Sequence, residues 1–148
     1  MSDPPVIIDA GPLVALLSQK DAYHDWASET ARALPNPFLS SEPAFTEACL
    51  LLQRENLPLD SLFALLEEQA LLLAFDVQSE STALASLIRK FSSLPKGARM
   101  SLADASLVRL SEIHDRAAVF TLDRHFTIYR KHGRRQIRLI APWASSDK

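Results

Sequence analysis

Cysteine is nearly absent from this 148-residue chain: Cys49 stands alone, which excludes an internal disulfide and a thiolate metal cluster. A reducing cytoplasm is the expected setting. Only three glycines are present, which leaves little material for loops that cradle phosphates, and neither a G-x-G-x-x-G stretch nor a P-loop occurs. Long apolar runs are missing too. The longest spans Ala70 to Phe75, far short of the roughly 20 residues a membrane helix needs. The opening Met1-Ser2-Asp3-Pro4-Pro5 has no basic start and no long apolar stretch behind it, so no signal peptide is expected. What remains is 47% hydrophobic and 23% charged, the balance of an ordinary globular domain rather than a disordered or collagen-like chain. No repeat or linker divides it, and a single domain over 1–148 with an ordered core of about 5–142 is expected.

The net charge of −2 conceals an asymmetry. Residues 1–114 carry 8 Lys/Arg against 15 Asp/Glu, whereas residues 115–148 carry 8 Lys/Arg against 3 Asp. An acidic body with a basic C-terminal region suits a polyanionic partner held near that end, or simply a solvated face.

Short β-branched or apolar runs alternate with helical patterns. Strands are expected at Val6–Asp9, Phe38–Ser40, Leu71–Val77, Ala117–Thr121 and Ile137–Ile140. Between them, helices are expected at Leu13–Leu17, His24–Leu34, Glu42 to about Glu55 behind Ser41 as cap, and from an Asp60 cap to about Gln69. Two more are expected at Ser79–Phe91 and from a Ser101 cap to about His114, then a short turn or helix over Asp123–Tyr129. Strands separated by helices predict an α/β fold with a mainly parallel sheet of about five strands.

Four acids occupy places where chemistry is expected. Asp9 ends the first strand, and the carboxyl ends of parallel strands open onto the crevice where ligands bind. Asp9 would equally serve as a helix cap. Glu47 is surrounded at helical spacing by Ala44, Ala48, Leu50 and Leu51, where a buried carboxylate needs a partner and an exposed stripe does not. Asp104 follows Ser101 at capping-box spacing, at the positive end of its helix. Asp123 follows the fourth strand, where an ordinary turn aspartate is the plain alternative. Four carboxylates meeting at one point would raise one another's pKa values and oppose folding, and a divalent cation would remove that cost. An all-oxygen acidic cage suits Mg²⁺ or Mn²⁺.

The motifs that carry these acids resemble those of the PIN-domain family. Ile7-Ile8-Asp9-Ala10-Gly11-Pro12-Leu13-Val14-Ala15-Leu16 is similar to its opening. Glu47 within Ser41–Ala48 is similar to its second acid, Leu102-Ala103-Asp104-Ala105-Ser106-Leu107 to its third, and Thr121-Leu122-Asp123-Arg124-His125-Phe126 to its final motif. The resemblance spans about residues 5 to 142 and is nearest to the VapC-like toxins of toxin–antitoxin pairs. It implies a three-layer α/β/α fold and a divalent-metal-dependent endoribonuclease that uses one or two Mg²⁺ or Mn²⁺ ions to activate water. It also implies a homodimer held inactive by a cognate antitoxin. Asp9, Glu47, Asp104 and Asp123 would be the metal-binding and catalytic acids, and Thr121 a hydroxyl that orients one of them.

On this reading Arg99, Arg124, Arg130, Lys131, Arg134, Arg135 and Arg138 are candidates for the RNA backbone. Tyr129 could stack a base, with core packing as the alternative. His24, His114 and His132 show no ligand spacing, and Cys49, Trp26 and Trp143 read as packing residues. Two competing readings differ in class. A non-catalytic PIN-like module that binds RNA or protein would be expected to have lost the acids, yet all four are present. A haloacid-dehalogenase-type phosphatase would need Asp-x-Asp after the first strand, where position 11 is Gly.

Overall fold

The computed structural model describes residues 3–144. Its centre is a five-stranded parallel sheet built from β1 (Val6–Ile8), β2 (Phe38–Ser40), β3 (Leu71–Leu73), β4 (Ala118–Phe120) and a last strand at Leu139–Ile140. Every strand is two or three residues long, and their apolar side chains divide by alternation. Ile7, Leu39 and Val119 point to one face, while Val6, Ile8, Phe38, Leu71 and Phe120 point to the other.

Helices cover both faces, giving the three-layer α/β/α arrangement. On the first face lie α5 (Ser81–Lys90) and α6 (Leu102–Ile113), through Leu84, Leu87, Leu107 and Leu110. On the second lie α1 (Ala10–Leu17), α2 (His24–Arg32) and α4 (Asp60–Glu67), through Leu13, Val14, Ala27 and Leu62. Phe120 anchors this second core, edge-to-face with Trp26 at 5.5 Å and with Phe38 at 6.0 Å. Such pairs add about 0.5–1.5 kcal/mol each beyond area burial. Helix α3 (Glu42–Arg54) contributes Ala44 to one core and Phe45, Ala48 and Leu52 to the other.

The strand order is β3-β2-β1-β4 and then the Leu139–Ile140 strand. The chain therefore runs outward from β1 to β2 and β3, then returns to lay β4 on the opposite side of β1. Ile7 is in register with Leu39 on one flank and with Val119 on the other. The reversal makes the β1/β4 boundary the topological switch point, where parallel sheets open a crevice at their carboxyl ends. Asp9 and Thr121 are the first residues past those two strands.

Some expected bounds shift. The third strand stops at Leu73 rather than Val77, because its neighbour β2 ends at Ser40 and the last ladder bond is Ala74 N–H to Ser40 O. Asp60 is the first residue of α4 and makes no side-chain cap; Leu59 occupies the cap position. Helix α1 begins at Ala10, so Gly11 and Pro12 lie inside its first turn. A Cβ at Gly11 would come within 3.3 Å of the Leu122 side chain, so the absent side chain lets α1 lie close to the segment after β4. An unforeseen hairpin of β5 (Arg130–Lys131) and β6 (Arg135–Gln136) turns through His132 and Gly133, both at positive φ. The strand after it, β7, covers Leu139–Ile140 alone, leaving Ile137 buried outside the ladder. Among the described residues, no helix is long and apolar enough to cross a membrane.

Candidate functional site

Asp9 follows β1 directly, and its own N–H extends the ladder to Phe120 O at 2.9 Å. Its backbone is extended while Ala10 is helical, so the side chain caps α1, with Oδ1 accepting from Ala10 N–H at 2.8 Å. The other oxygen, Oδ2, accepts from the Thr121 hydroxyl across the β1/β4 boundary, also at 2.8 Å. Thr121 Oγ1 in turn accepts the Asp123 N–H at 3.0 Å. One hydroxyl thus links the acids of the first and last motifs. Asp9 is only 7% exposed. Burial pushes its carboxyl up to about 7; the bonds from Thr121 and Ala10 oppose this, and the charges of Asp104 and Glu47 add to it.

Asp104 sits in the first turn of α6 within a complete capping box. Ser101 Oγ accepts the Asp104 N–H at 3.0 Å, and Asp104 Oδ2 accepts the Ser101 N–H at 3.0 Å. The same Oδ2 accepts from the Tyr129 hydroxyl at 3.1 Å. Burial raises the Asp104 carboxyl despite these bonds, and the Asp123 charge adds a further push. Asp123 caps the 3₁₀ turn Arg124–Thr127, its Oδ1 accepting from His125 N–H and lying 2.9 Å from His125 Nδ1.

Glu47 is exposed on α3, and burial of part of its carboxyl, followed by the charges of Asp104 and Asp123, raises its pKa. Its apolar helical neighbours do not enclose it, because α3 turns Ala44, Ala48 and Leu52 inward and leaves Glu47 toward solvent. The helix is nevertheless tied to the site. The Ser41 cap accepts Ala44 N–H at 3.2 Å and meets Ser106 of α6 at 2.6 Å between hydroxyl oxygens. Ser106 donates to Ala103 O, so the proton between the two serines comes from Ser41.

Each of the four acids therefore lies within the electrostatic reach of at least two others. Both Asp9 and Asp104 hold protein hydrogen bonds, whereas Glu47 faces water. Among the described residues, no three His, Cys, Asp or Glu side chains form a ready-made ligand set. The donors are hard carboxylate oxygens whose charges bear on one another. That set suits a Mg²⁺-like cation that takes one or two carboxylates directly and keeps several waters, rather than a closed protein cage.

The basic candidates divide. Arg99, Arg124, Arg134, Arg135 and Arg138 are exposed. Arg124 lies over the Trp143 ring at 4.9 Å, and Arg135 pairs with Asp115 at 3.2 Å. Arg130 is half-buried and spends one guanidinium nitrogen on the carbonyls of Thr127, Ile128 and Tyr129. Lys131 is a correction: it is 2% exposed, donates to the Asp115 and Ser111 carbonyls and pairs with the Asp115 carboxylate at 3.3 Å. Its ammonium is built into the fold and is not available to a phosphate. Tyr129 takes the packing reading: its ring is fully buried between Phe91 and Phe126 and cannot stack a base.

Residue-level reading missed the Tyr129–Asp104 bond, the Ser41–Ser106 tie and the His125 contact to Asp123. The first two join chain segments 25 and 65 residues apart, and no local pattern announces them. The third was visible in principle, because an Asp side chain in a turn commonly accepts the backbone N–H two residues on, here that of His125. No protein-family model matches the chain, and no curated protein matches it.

Proposed function

We propose that the chain is a divalent-metal-dependent endoribonuclease of the PIN type, the toxin of a toxin–antitoxin pair. The observation that carries this reading is the Thr121 hydroxyl at the switch point of the parallel sheet, which bonds the Asp9 carboxylate and the Asp123 N–H, with the charges of Asp104 and Glu47 bearing on Asp9. A fold that gathers repelling acids at its ligand-binding crevice loses stability unless a cation joins them. The residues most suited to hold one are Asp9, Asp104 and Asp123, with Glu47 at the solvent side. When bound, Mg²⁺ or Mn²⁺ supplies positive charge to a phosphodiester oxygen and lowers the pKa of a water.

The chain's own groups do the rest. Ala10 N–H and Thr121 hold the Asp9 carboxylate in a fixed plane. The Ser101 capping box fixes Asp104 at the start of a rigid helix. Glu47, exposed and with a raised carboxyl, would take the proton from the incoming water as a general base. The exposed Arg99 and Arg124, next in the chain to the segments that carry Asp104 and Asp123, would neutralise flanking phosphates beside the acids. A protein antitoxin, a second copy of the chain and a cytoplasmic setting belong to the same reading.

The test is cleavage of a structured RNA by the purified protein in Mg²⁺ or Mn²⁺, with and without EDTA, against Asp104→Asn. The expected result is loss of cleavage in EDTA and a drop of at least roughly 100-fold in the variant. Cleavage that persists in EDTA, or at the parent rate in the variant, overturns the proposal. Absence of both cleavage and Mn²⁺ binding would instead favour a non-catalytic module.

A further inference from the structure

Among the described residues Tyr129 is the largest fully buried side chain, and it carries a polar group next to a candidate metal ligand. Its ring is held on two sides, edge-to-face with Phe91 at 5.3 Å and 70°, and with Phe126 at 5.3 Å and 82°. Phe91 closes the end of α5, and Phe126 lies in the 3₁₀ turn that Asp123 caps. The Tyr129 N–H also donates to His125 O of that turn at 3.2 Å. The ring has no room to rotate away, so the hydroxyl position is set by packing.

From that fixed position the hydroxyl reaches Asp104 Oδ2 at 3.1 Å, with Ala98 O at 3.3 Å as a second acceptor. Oδ2 already accepts the Ser101 N–H. Two donors from different elements therefore hold one oxygen of Asp104, and among the described residues Oδ1 accepts no hydrogen bond. A single donor would leave the carboxylate free to swing about its χ2 axis. Two donors on one oxygen define its plane and leave the other oxygen as the one presented outward.

We propose that Tyr129 is a positioning residue: its buried hydroxyl fixes Asp104 so that Oδ1 alone is offered to a divalent cation. The inference rests on the metal-dependent reading given above. It ties two of the four acids together, because the aromatic stack that locks Tyr129 includes the turn that carries Asp123. It also gives a role to a tyrosine that a purely apolar core would replace with phenylalanine at no loss of packing.

The experiment is calorimetric titration of Mn²⁺ into four metal-free full-length proteins: the parent, Tyr129→Phe, Asp104→Asn and the double variant. Thermal melts by circular dichroism report folding, and Tyr129→Met replaces the phenylalanine variant if that one does not fold. Tyr129→Phe should weaken Mn²⁺ binding roughly tenfold in the parent background. It should have no further effect, within about twofold, once Asp104 is Asn. A general loss of packing would weaken binding equally in both backgrounds, and that result overturns the proposal. So does Mn²⁺ binding by Tyr129→Phe at parent strength, which leaves the metal-dependent reading standing. No Mn²⁺ binding by the parent removes both together.

Discussion

Asp9 is buried beside other carboxylates, and burial holds its proton until about pH 7, against an ordinary value of 3.8. Between those two pH values the folded chain binds a proton that the unfolded chain has released. Stability contributed by this group is therefore fully present below about pH 4, falls as pH rises toward 7, and levels off above it. The shift corresponds to on the order of 4 kcal/mol across that window. Asn at this position still accepts from Ala10 N–H and donates toward Thr121, but carries no titrating proton. Urea unfolding in EDTA should therefore show Asp9→Asn gaining stability over the parent as pH rises from 4 to 7. Equal pH profiles for the two proteins would mean that Asp9 ionises without cost. Added Mn²⁺ should narrow the gap above pH 7 by stabilising the parent alone, since a ligand that binds only the folded state stabilises by mass action.

The helices matter to the site through their starts, and α3 and α6 start side by side. Ser41 caps α3 and donates to Ser106, while Ser106 donates to Ala103 O. All three oxygen atoms lie in the interior, where an orphaned hydroxyl costs about 1–3 kcal/mol. Ser106→Ala should cost about that much, because it strands the Ser41 proton. Adding Ser41→Ala to it removes the stranded group and should cost only the lost cap, about 1 kcal/mol. The pair should thus be less destabilising than the sum of the singles, read from urea midpoints. Strict additivity would show that the two hydroxyls act independently. The serine cap, the capping box at Ser101 and the alternation of strands and helices were legible in the sequence because each is a local pattern. The Ser41–Ser106 tie was not, for it depends on which helices the fold sets together. For the same reason Asp9, Asp104 and Asp123 could be picked out at element ends, while the Tyr129 bond and the buried state of Lys131 could not. Lys131 lies in a run of basic residues, Arg130 to Arg138, that looks uniformly exposed in one dimension. A two-residue strand then turns that one ammonium inward onto Asp115 and Ser111.

At the scale of the whole molecule, Asp9 and Asp123 lie past the carboxyl ends of β1 and β4, and 8 of the 16 Lys/Arg fall in residues 115–148. On the proposed function, an acidic centre repels RNA, so binding would be carried by flanking cations and should be strongly dependent on salt. Each phosphate neutralised on a single strand contributes about 0.7 to the slope of log K against log salt. Arg99 and Arg124 are exposed and stand next in the chain to the segments that carry Asp104 and Asp123, so the double variant Arg99→Ala/Arg124→Ala should flatten that slope by about 1.4. The measurement is RNA binding over a salt series in an Asp104→Asn background, which prevents cleavage. Lys131→Met is the internal contrast. Its ammonium is occupied by the Asp115 and Ser111 carbonyls, so this change should lower the melting temperature and leave the slope as it was. A slope that is unmoved by the loss of both arginines, or one that falls with Lys131→Met, would place the nucleic acid on some other face of the protein.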